Sequence, residues 1–125
     1  MTLPYGATVL EHFRRPRNQR TLERPTVARE GYNPLCGDRV RIELDVKDGA
    51  ITLAAFTANA CAICTASASL LTERIRGLAI EDASKVTDEE TIAALETHLP
   101  AGRLLCAVLP VRTLRDALDA VRSAA

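Results

Sequence analysis

The sequence predicts an α+β fold, a small antiparallel sheet of about three strands with helices packed on one face. Two observations lead there. An alternating stretch from Arg39 runs into Asp48-Gly49 and returns through Ile51 to Thr57, which is the pattern of a hairpin. After Cys61 the chain is helical in periodicity only, so no strand remains to build parallel crossovers. With 125 residues, 47% of them hydrophobic, there is chain enough for one core, and residues 1–125 are read as a single domain.

The elements follow in order. Tyr5, Val9 and Phe13 recur at helical spacing behind Pro4, a residue suited to a first helical turn, which gives a short helix from about Pro4 to Arg14 ended by Pro16. Residues 15–35 carry three prolines and little periodicity, so they are expected to form a long loop with a short strand near Thr26 to Arg29. From Arg39 the next strand places Val40, Ile42, Leu44 and Val46 on one face and Arg41, Glu43 and Asp45 on the other. Asp48-Gly49 turns the chain, and Phe56 breaks the parity of Ile51 and Leu53, which predicts a bulge or two-sided burial near the end of the returning strand. Cys61 to Arg76 holds no Gly or Pro and sets Ile63, Ala66, Leu70, Leu71 and Ile75 on one helical face, with Gly77 as the stop. Thr87 and Glu90 have capping-box spacing and open a helix with Ile92, Leu95 and Leu99 inward. Leu114, Ala117, Leu118 and Val121 mark a last helix.

Composition removes several function classes. The 16 basic and 16 acidic side chains cancel, so no overall field draws the chain to nucleic acid or an anionic membrane. Two Phe, two Tyr and no Trp make a poor base-stacking platform. No apolar run approaches the ~20 residues of a membrane span, and the first residues lack a secretory pattern. A cytoplasmic location is therefore expected. Charge is uneven all the same: residues 1–41 carry eight arginines against four acids. Arg14, Arg15, Arg17 and Arg20 form either a solvated face or a docking surface.

In a reducing compartment four cysteines are better explained by metal or catalysis than by disulfides. Cys36, Asp38, Cys61, Cys64 and Cys106 are the clustered ligand candidates, each near the start or end of an element. Cys36 and Asp38 flank Gly37 and project to one side if the backbone is extended. Cys61 lies at a helix N-terminus, where the dipole favours a thiolate, and Cys106 is expected at a loop-to-helix junction just before the last helix. Three thiolates and a carboxylate complete a tetrahedral set that suits zinc or an iron-sulfur cluster. An aspartate oxygen is harder than a thiolate and holds soft iron less firmly, which favours a cluster that can leave.

Other readings stand beside this one. Cys61-x-x-Cys64 has the spacing of a thioredoxin-like redox pair but lacks its βαβ context. Cys64 is either a spare thiol beside the site or an inert core residue. His12 and His98 are read as surface or helix-end residues, not ligands. Thr65, Ser67, Ser69 and Thr72 either allow close helix packing or hydrogen-bond to cluster sulfurs.

These residues resemble the iron-sulfur cluster scaffold family known as IscU, SufU or the N-terminal domain of NifU. Tyr5 and the run from Val9 to Asn18 resemble its opening helix. Asn33-Pro34-Leu35-Cys36-Gly37-Asp38 matches its first ligand loop, Cys61-Ala62-Ile63 with the stretch from Ala66 to Glu73 its second, and Cys106 its third. The resemblance implies a scaffold, not an enzyme, on which sulfur from a cysteine desulfurase and iron form a 2Fe-2S cluster for transfer to recipient apo iron-sulfur proteins. It implies Cys36, Asp38, Cys61 and Cys106 as cluster or metal ligands, with Cys64 a further possibility. Cys106 and Cys61 are the implied sulfur acceptors, Asp38 keeps the site labile, and the cationic front with the first helix contacts the desulfurase.

Several positions depart from the pattern. Leu105 stands where IscU members have a histidine ligand, which points to SufU-type ligation through Asp38. The 45-residue step from Cys61 to Cys106 is too short for the SufU insertion. Ala58-Asn59-Ala60 replaces a glycine-rich approach, and Cys64 takes a place usually held by Ser. Leu99-Pro100-Ala101-Gly102-Arg103 matches only in part the segment that a dedicated chaperone reads in IscU systems. The alternative to a cluster scaffold is a zinc-bound SufU-type sulfurtransferase that accepts persulfide from the desulfurase. A third reading makes the metal a staple for the fold.

Overall fold

In the computed structural model, which describes residues 5–124, a three-stranded antiparallel sheet of order β1-β2-β3 is covered by helices. Helix α1 spans Ala7–Arg14, and strands β1, β2 and β3 span Val27–Asn33, Asp38–Lys47 and Ala50–Asn59. Helices α2, α3, α4 and α5 follow at Ala62–Ile75, Ile80–Ala83, Asp88–Ala94 and Leu104–Ala124, the last entered through a 3-10 turn at Ala101–Arg103. The α+β class and the three strands agree with the sequence reading. No helix among the described residues is long and apolar enough to cross a membrane.

The hairpins follow from local chemistry. Asp48 and Gly49 both take positive φ, 54° and 76°, the backbone that a two-residue turn between twisted strands requires. The irregularity in the β2-β3 ladder lies at this hairpin end, because Asp45 pairs with Leu53 and Val46 with Ile51. Thr52 is therefore the extra residue, and the bulge lies at the start of the returning strand instead of near its end. That shift brings Ala54 and Phe56 to the core side together with Ile42 and Leu44, with which they pair. Two-sided burial also occurs: Ala55 and Glu43, paired on the opposite face, are buried. The segment around Leu22 covers them, its N–H donating to Glu43 Oε1 at 2.7 Å. Glu43, expected on a solvent face, is thus an internal anchor held also by Arg41 Nε at 2.8 Å.

Strand β1 runs to Asn33, well beyond the short strand expected near Thr26 to Arg29. Its polar residues gave no alternation, yet the ladder with β2 continues from Val27↔Leu44 to Asn33↔Asp38. Helix α5 packs on β1 and β2, and α2 packs on β3 and α5. Gly31 makes the close approach of α5 possible: a Cβ there would lie 2.0 Å from Thr113 Oγ1.

The helices differ from expectation in detail. Pro4 lies outside the described residues, and α1 starts at Ala7 with Gly6 as its N-cap. Helix α2 has no single apolar face. It is buried on nearly every side, from Ile63 through Ser69 and again at Leu71, Thr72 and Ile75, while Leu70 is only half-buried. Small and hydroxyl residues let α1 and α5 approach it. Ser67 Oγ donates to Ala107 O at 2.6 Å, Arg17 N–H to Ser69 Oγ at 2.8 Å, and Thr72 Oγ1 to Ala68 O at 2.8 Å. Gly77 at φ 89° ends the turn after α2. The Thr87–Glu90 capping box is present, although α4 ends at Ala94 and leaves buried Leu95 and Leu99 beyond it.

The shared core joins sheet and helices through Phe56, Ile42, Leu44, Ile63, Leu114 and Leu118, all nearly or fully buried. Each such side chain stabilises the fold by about 1.5–3 kcal/mol relative to an exposed one. This packing holds three element starts, those of β2, α2 and α5, against one another at one end of the sheet.

Candidate metal centre

The ligand candidates come from those three starts. Asn33 Oδ1 accepts the N–H of Leu35 at 3.1 Å, and Gly37 N–H donates to Asn33 O at 2.8 Å. The β1-β2 connection is therefore a tight turn, not the extended backbone that would put Cys36 and Asp38 on one side by alternation. Gly37, at φ 76°, supplies the left-handed residue that the turn needs. Cys36 is exposed on this turn, while Asp38 opens β2 on its core-facing side and is buried.

Among the described residues, Cys36, Asp38 and Cys106 each place one ligand atom within 4.8 Å of the others. The Cys36 and Cys106 sulfurs are 3.4 Å apart. Cys61 is outside that tight group but tied to it, since its N–H donates to Asp38 Oδ1 at 3.0 Å. It is the N-cap of α2 and half-buried. Cys106, expected at the loop-to-helix junction just ahead of the last helix, lies within the first turn of α5 as its third residue, with no exposed surface. Pro100 and Gly102 end before the helix, and Pro110 lies inside it, where it can offer no N–H to the Cys106 carbonyl.

The electrostatics favour thiols until a cation arrives. Burial raises the Cys61 thiol above its usual range despite the Cys64 N–H that faces it, and nearby Asp38 adds to the rise. The helix-dipole argument for a Cys61 thiolate is thus outweighed by desolvation. Cys106 is pushed up to about 12, first by burial and then by its contact with Cys36. Asp38 Oδ2 is buried and has no hydrogen-bond partner among the described residues. A carboxylate oxygen removed from water without a partner is costly, and a cation between it and the two sulfurs removes that cost. Cys36, Cys106 and Asp38 bring together two sulfurs that lose protons on binding a cation and one hard oxygen, donor types that zinc and iron take.

The remaining candidates fall elsewhere. Cys64 is fully buried in the hydrophobic core, and burial raises its thiol strongly, with Asp38 as the next cause. His12 is buried, not on the surface, with Nδ1 2.7 Å from Ser69 Oγ. His98 is exposed. The hydroxyls of Ser67, Ser69 and Thr72 bond to backbone groups of α5, of the segment after α1 and of α2 itself, which fits the close-packing reading. Arg14, Arg15 and Arg20 are exposed, whereas Arg17 pairs with Glu11 at 2.8 Å. Arg103, not singled out from the sequence, has its guanidinium against Cys106 and is held more firmly charged by that contact and by Cys61. Its only sequence signal is its place one helical turn before Cys106.

Comparisons with known proteins show the family and the fold. The family model described as the NifU-like N terminal domain matches residues 4–124. The iron-sulfur cluster assembly scaffold protein IscU 1 of Archaeoglobus fulgidus is 35% identical over 114 residues, covering 91% of this chain and 74% of that protein. The iron-sulfur cluster assembly scaffold protein IscU of Rickettsia prowazekii is 33% identical over 121 residues, 93% of this chain and 90% of that one. A nitrogen-fixing NifU-like protein (N-terminal) from Brucella abortus superposes with a TM-score of 0.80 at 20% identity over 98% of this chain and 96% of its own, which is a likeness of fold.

Proposed function

Since this chain belongs to the family of NifU-like N-terminal domains, we propose that it is a scaffold on which a labile 2Fe-2S cluster is assembled and from which it is passed on. The observation that carries the reading is the buried, unpartnered Asp38 Oδ2 beside two thiols 3.4 Å apart. Cys36, Asp38, Cys61 and Cys106 hold the cluster, which is cargo and not a resident cofactor. Asp38, the one hard ligand, is the bond that gives way first on transfer. Asp38 also fixes the approach of Cys61 through the N–H it accepts.

Sulfur comes from a cysteine desulfurase in the cytoplasm, and Arg14, Arg15 and Arg20 offer that partner a cationic contact. Cys61 and Cys106 are the acceptors in this reading. Because Cys106 has no exposed surface, the Cys36 turn must swing aside before sulfur reaches it.

Anaerobic reconstitution with iron, sulfide and reductant tests the reading. A visible absorption spectrum of a 2Fe-2S centre, lost on mixing with an apo-ferredoxin that gains it, is expected. A colourless, iron-free product under conditions that reconstitute a control protein would overturn it.

One observation favours a second reading. Leu105 is 41% exposed and brings no nitrogen ligand to the site, so three sulfurs and one oxygen are a closed tetrahedral set for zinc. In that form the protein would be a sulfurtransferase acceptor for the desulfurase. Zinc in protein purified without added metal, with stimulation of desulfurase turnover, would select it over the cluster scaffold.

A further inference from the structure

Cys36 and Cys106 differ in access but not in position. One is exposed on a turn and the other has no exposed surface, yet their sulfurs are 3.4 Å apart. Two sulfurs on a tetrahedral ion with bonds of about 2.3 Å stand roughly 3.8 Å from each other, and a disulfide needs about 2.0 Å. The observed separation lies between the two. The exposed turn beside Gly37, where nothing would meet an added Cβ within 4 Å, has room to move Cys36 the remaining distance.

We propose that Cys36 and Cys106 form a disulfide when a small-molecule disulfide of the glutathione type reaches the metal-free site, and that this bond closes the site to metal. Cys36 gives up its proton, and its thiolate attacks one sulfur of the oxidant, whose S–S bond breaks to release one thiolate. Cys106, deprotonated in turn, attacks the Cys36 sulfur of the mixed disulfide. That S–S bond breaks, the Cys36–Cys106 bond forms and the second thiolate leaves. The released thiolates take up the two protons, so the protein pair loses two electrons and the oxidant gains them. Cys36 is the entry point because it is exposed, and Cys106 resolves the adduct because it is the sulfur already in contact. Cys64, buried in the core, has no access to the oxidant.

A disulfide sulfur has no thiolate charge for a cation, so the linked protein keeps at most Asp38 and Cys61 as ligands. Metal and disulfide are mutually exclusive occupants of one place. The consequence for metal rests on the metal-centre reading above; the bond itself does not.

The test uses the full chain, stripped with a chelator and incubated with oxidised glutathione. Free thiols should fall from four to two per chain, and non-reducing peptide mapping should find Cys36 joined to Cys106 with Cys64 unmodified. Zinc uptake should fall at least tenfold and return with dithiothreitol, and zinc added first should prevent the link. A lasting glutathione adduct on Cys36 with Cys106 free, a link through Cys61 or Cys64, or undiminished zinc uptake by the linked protein would overturn the inference. If the reduced protein binds neither zinc nor iron, the metal-centre reading fails whatever the thiols do. If it binds metal and no Cys36–Cys106 bond forms, that reading survives and the disulfide falls.

Discussion

Asp38 accepts the backbone N–H of Cys61 through Oδ1 at 3.0 Å and keeps Oδ2 buried without a partner. One carboxylate thereby joins the start of β2 to the start of α2 and presents a free oxygen to the sulfurs of Cys36 and Cys106. The two oxygens have separable jobs, one in the fold and one in the site.

Asp38→Asn separates them. The amide retains an oxygen for the Cys61 N–H and removes a buried charge, so the metal-free variant should melt no lower than the parent. Zinc should stabilise it less, because the anionic ligand is gone; roughly tenfold weaker binding corresponds to about 1.4 kcal/mol. Thermal melts in chelator and in excess zinc measure both effects. A variant that melts lower without metal and gains as much from zinc would refute the assignment of Oδ2.

Packing of α5 against β1 depends on Gly31. An added methyl would meet Thr113 Oγ1 and, at 3.1 Å, Leu109 Cδ1. Gly31→Ala should cost about 1–3 kcal/mol in urea unfolding, and Thr113→Ala in the same chain should recover part of that loss. Equal stability of Gly31→Ala and the parent would mean that the helix is not held this close.

His12 makes stability depend on pH. Its value is lowered from the usual 6.5, first by burial and then by Arg17, with Glu73 and Glu11 opposing. The unfolded chain therefore binds the proton more readily than the folded one. The stability this contributes is fully present above pH 6.5 and declines as pH falls from there toward the lower folded value. Denaturant midpoints between pH 8 and pH 5 should show the decline, and His12→Gln should flatten that part of it. An unchanged slope in the variant would place the proton uptake elsewhere.

Glu43 holds the segment around Leu22 against the outer face of the sheet. Glu43→Ala removes the acceptor of the Leu22 N–H and the Arg41 partner, and should cost about 1–3 kcal/mol. Glu43→Gln keeps the acceptor and should cost less. Limited proteolysis should cut between residues 18 and 26 faster in the alanine variant, and an unaltered cleavage pattern would show that the anchor is elsewhere.

What could be read from the sequence was what local chemistry decides. Asp48-Gly49 needs only its own φ angles, and Thr87 with Glu90 needs only four consecutive residues, so both were visible. Strand β1 was legible only at its start, because Arg29 to Tyr32 are held by pairing with Arg39 to Ile42, a partner that periodicity cannot see. Glu43 was misplaced because its burial comes from Leu22, 21 residues away. Helix α2 carries small residues on all sides because three helices and two strands close on it, which one apolar stripe does not describe. The cysteines and Asp38 stood out by residue type and by their places near element ends. The 3.4 Å approach of Cys36 to Cys106 and the free Oδ2 are products of tertiary packing and had no linear signature.

Counting the ligands of a bound ion tests the central claim most directly. Zinc K-edge X-ray absorption of the loaded protein should give three sulfurs at about 2.3 Å and one oxygen at about 2.0–2.2 Å. The same pattern should persist in Cys64→Ala and should lose one sulfur in Cys36→Ser or Cys106→Ser. Four sulfurs in the parent, or a sulfur count that falls in Cys64→Ala, would contradict a centre built from Cys36, Asp38, Cys61 and Cys106.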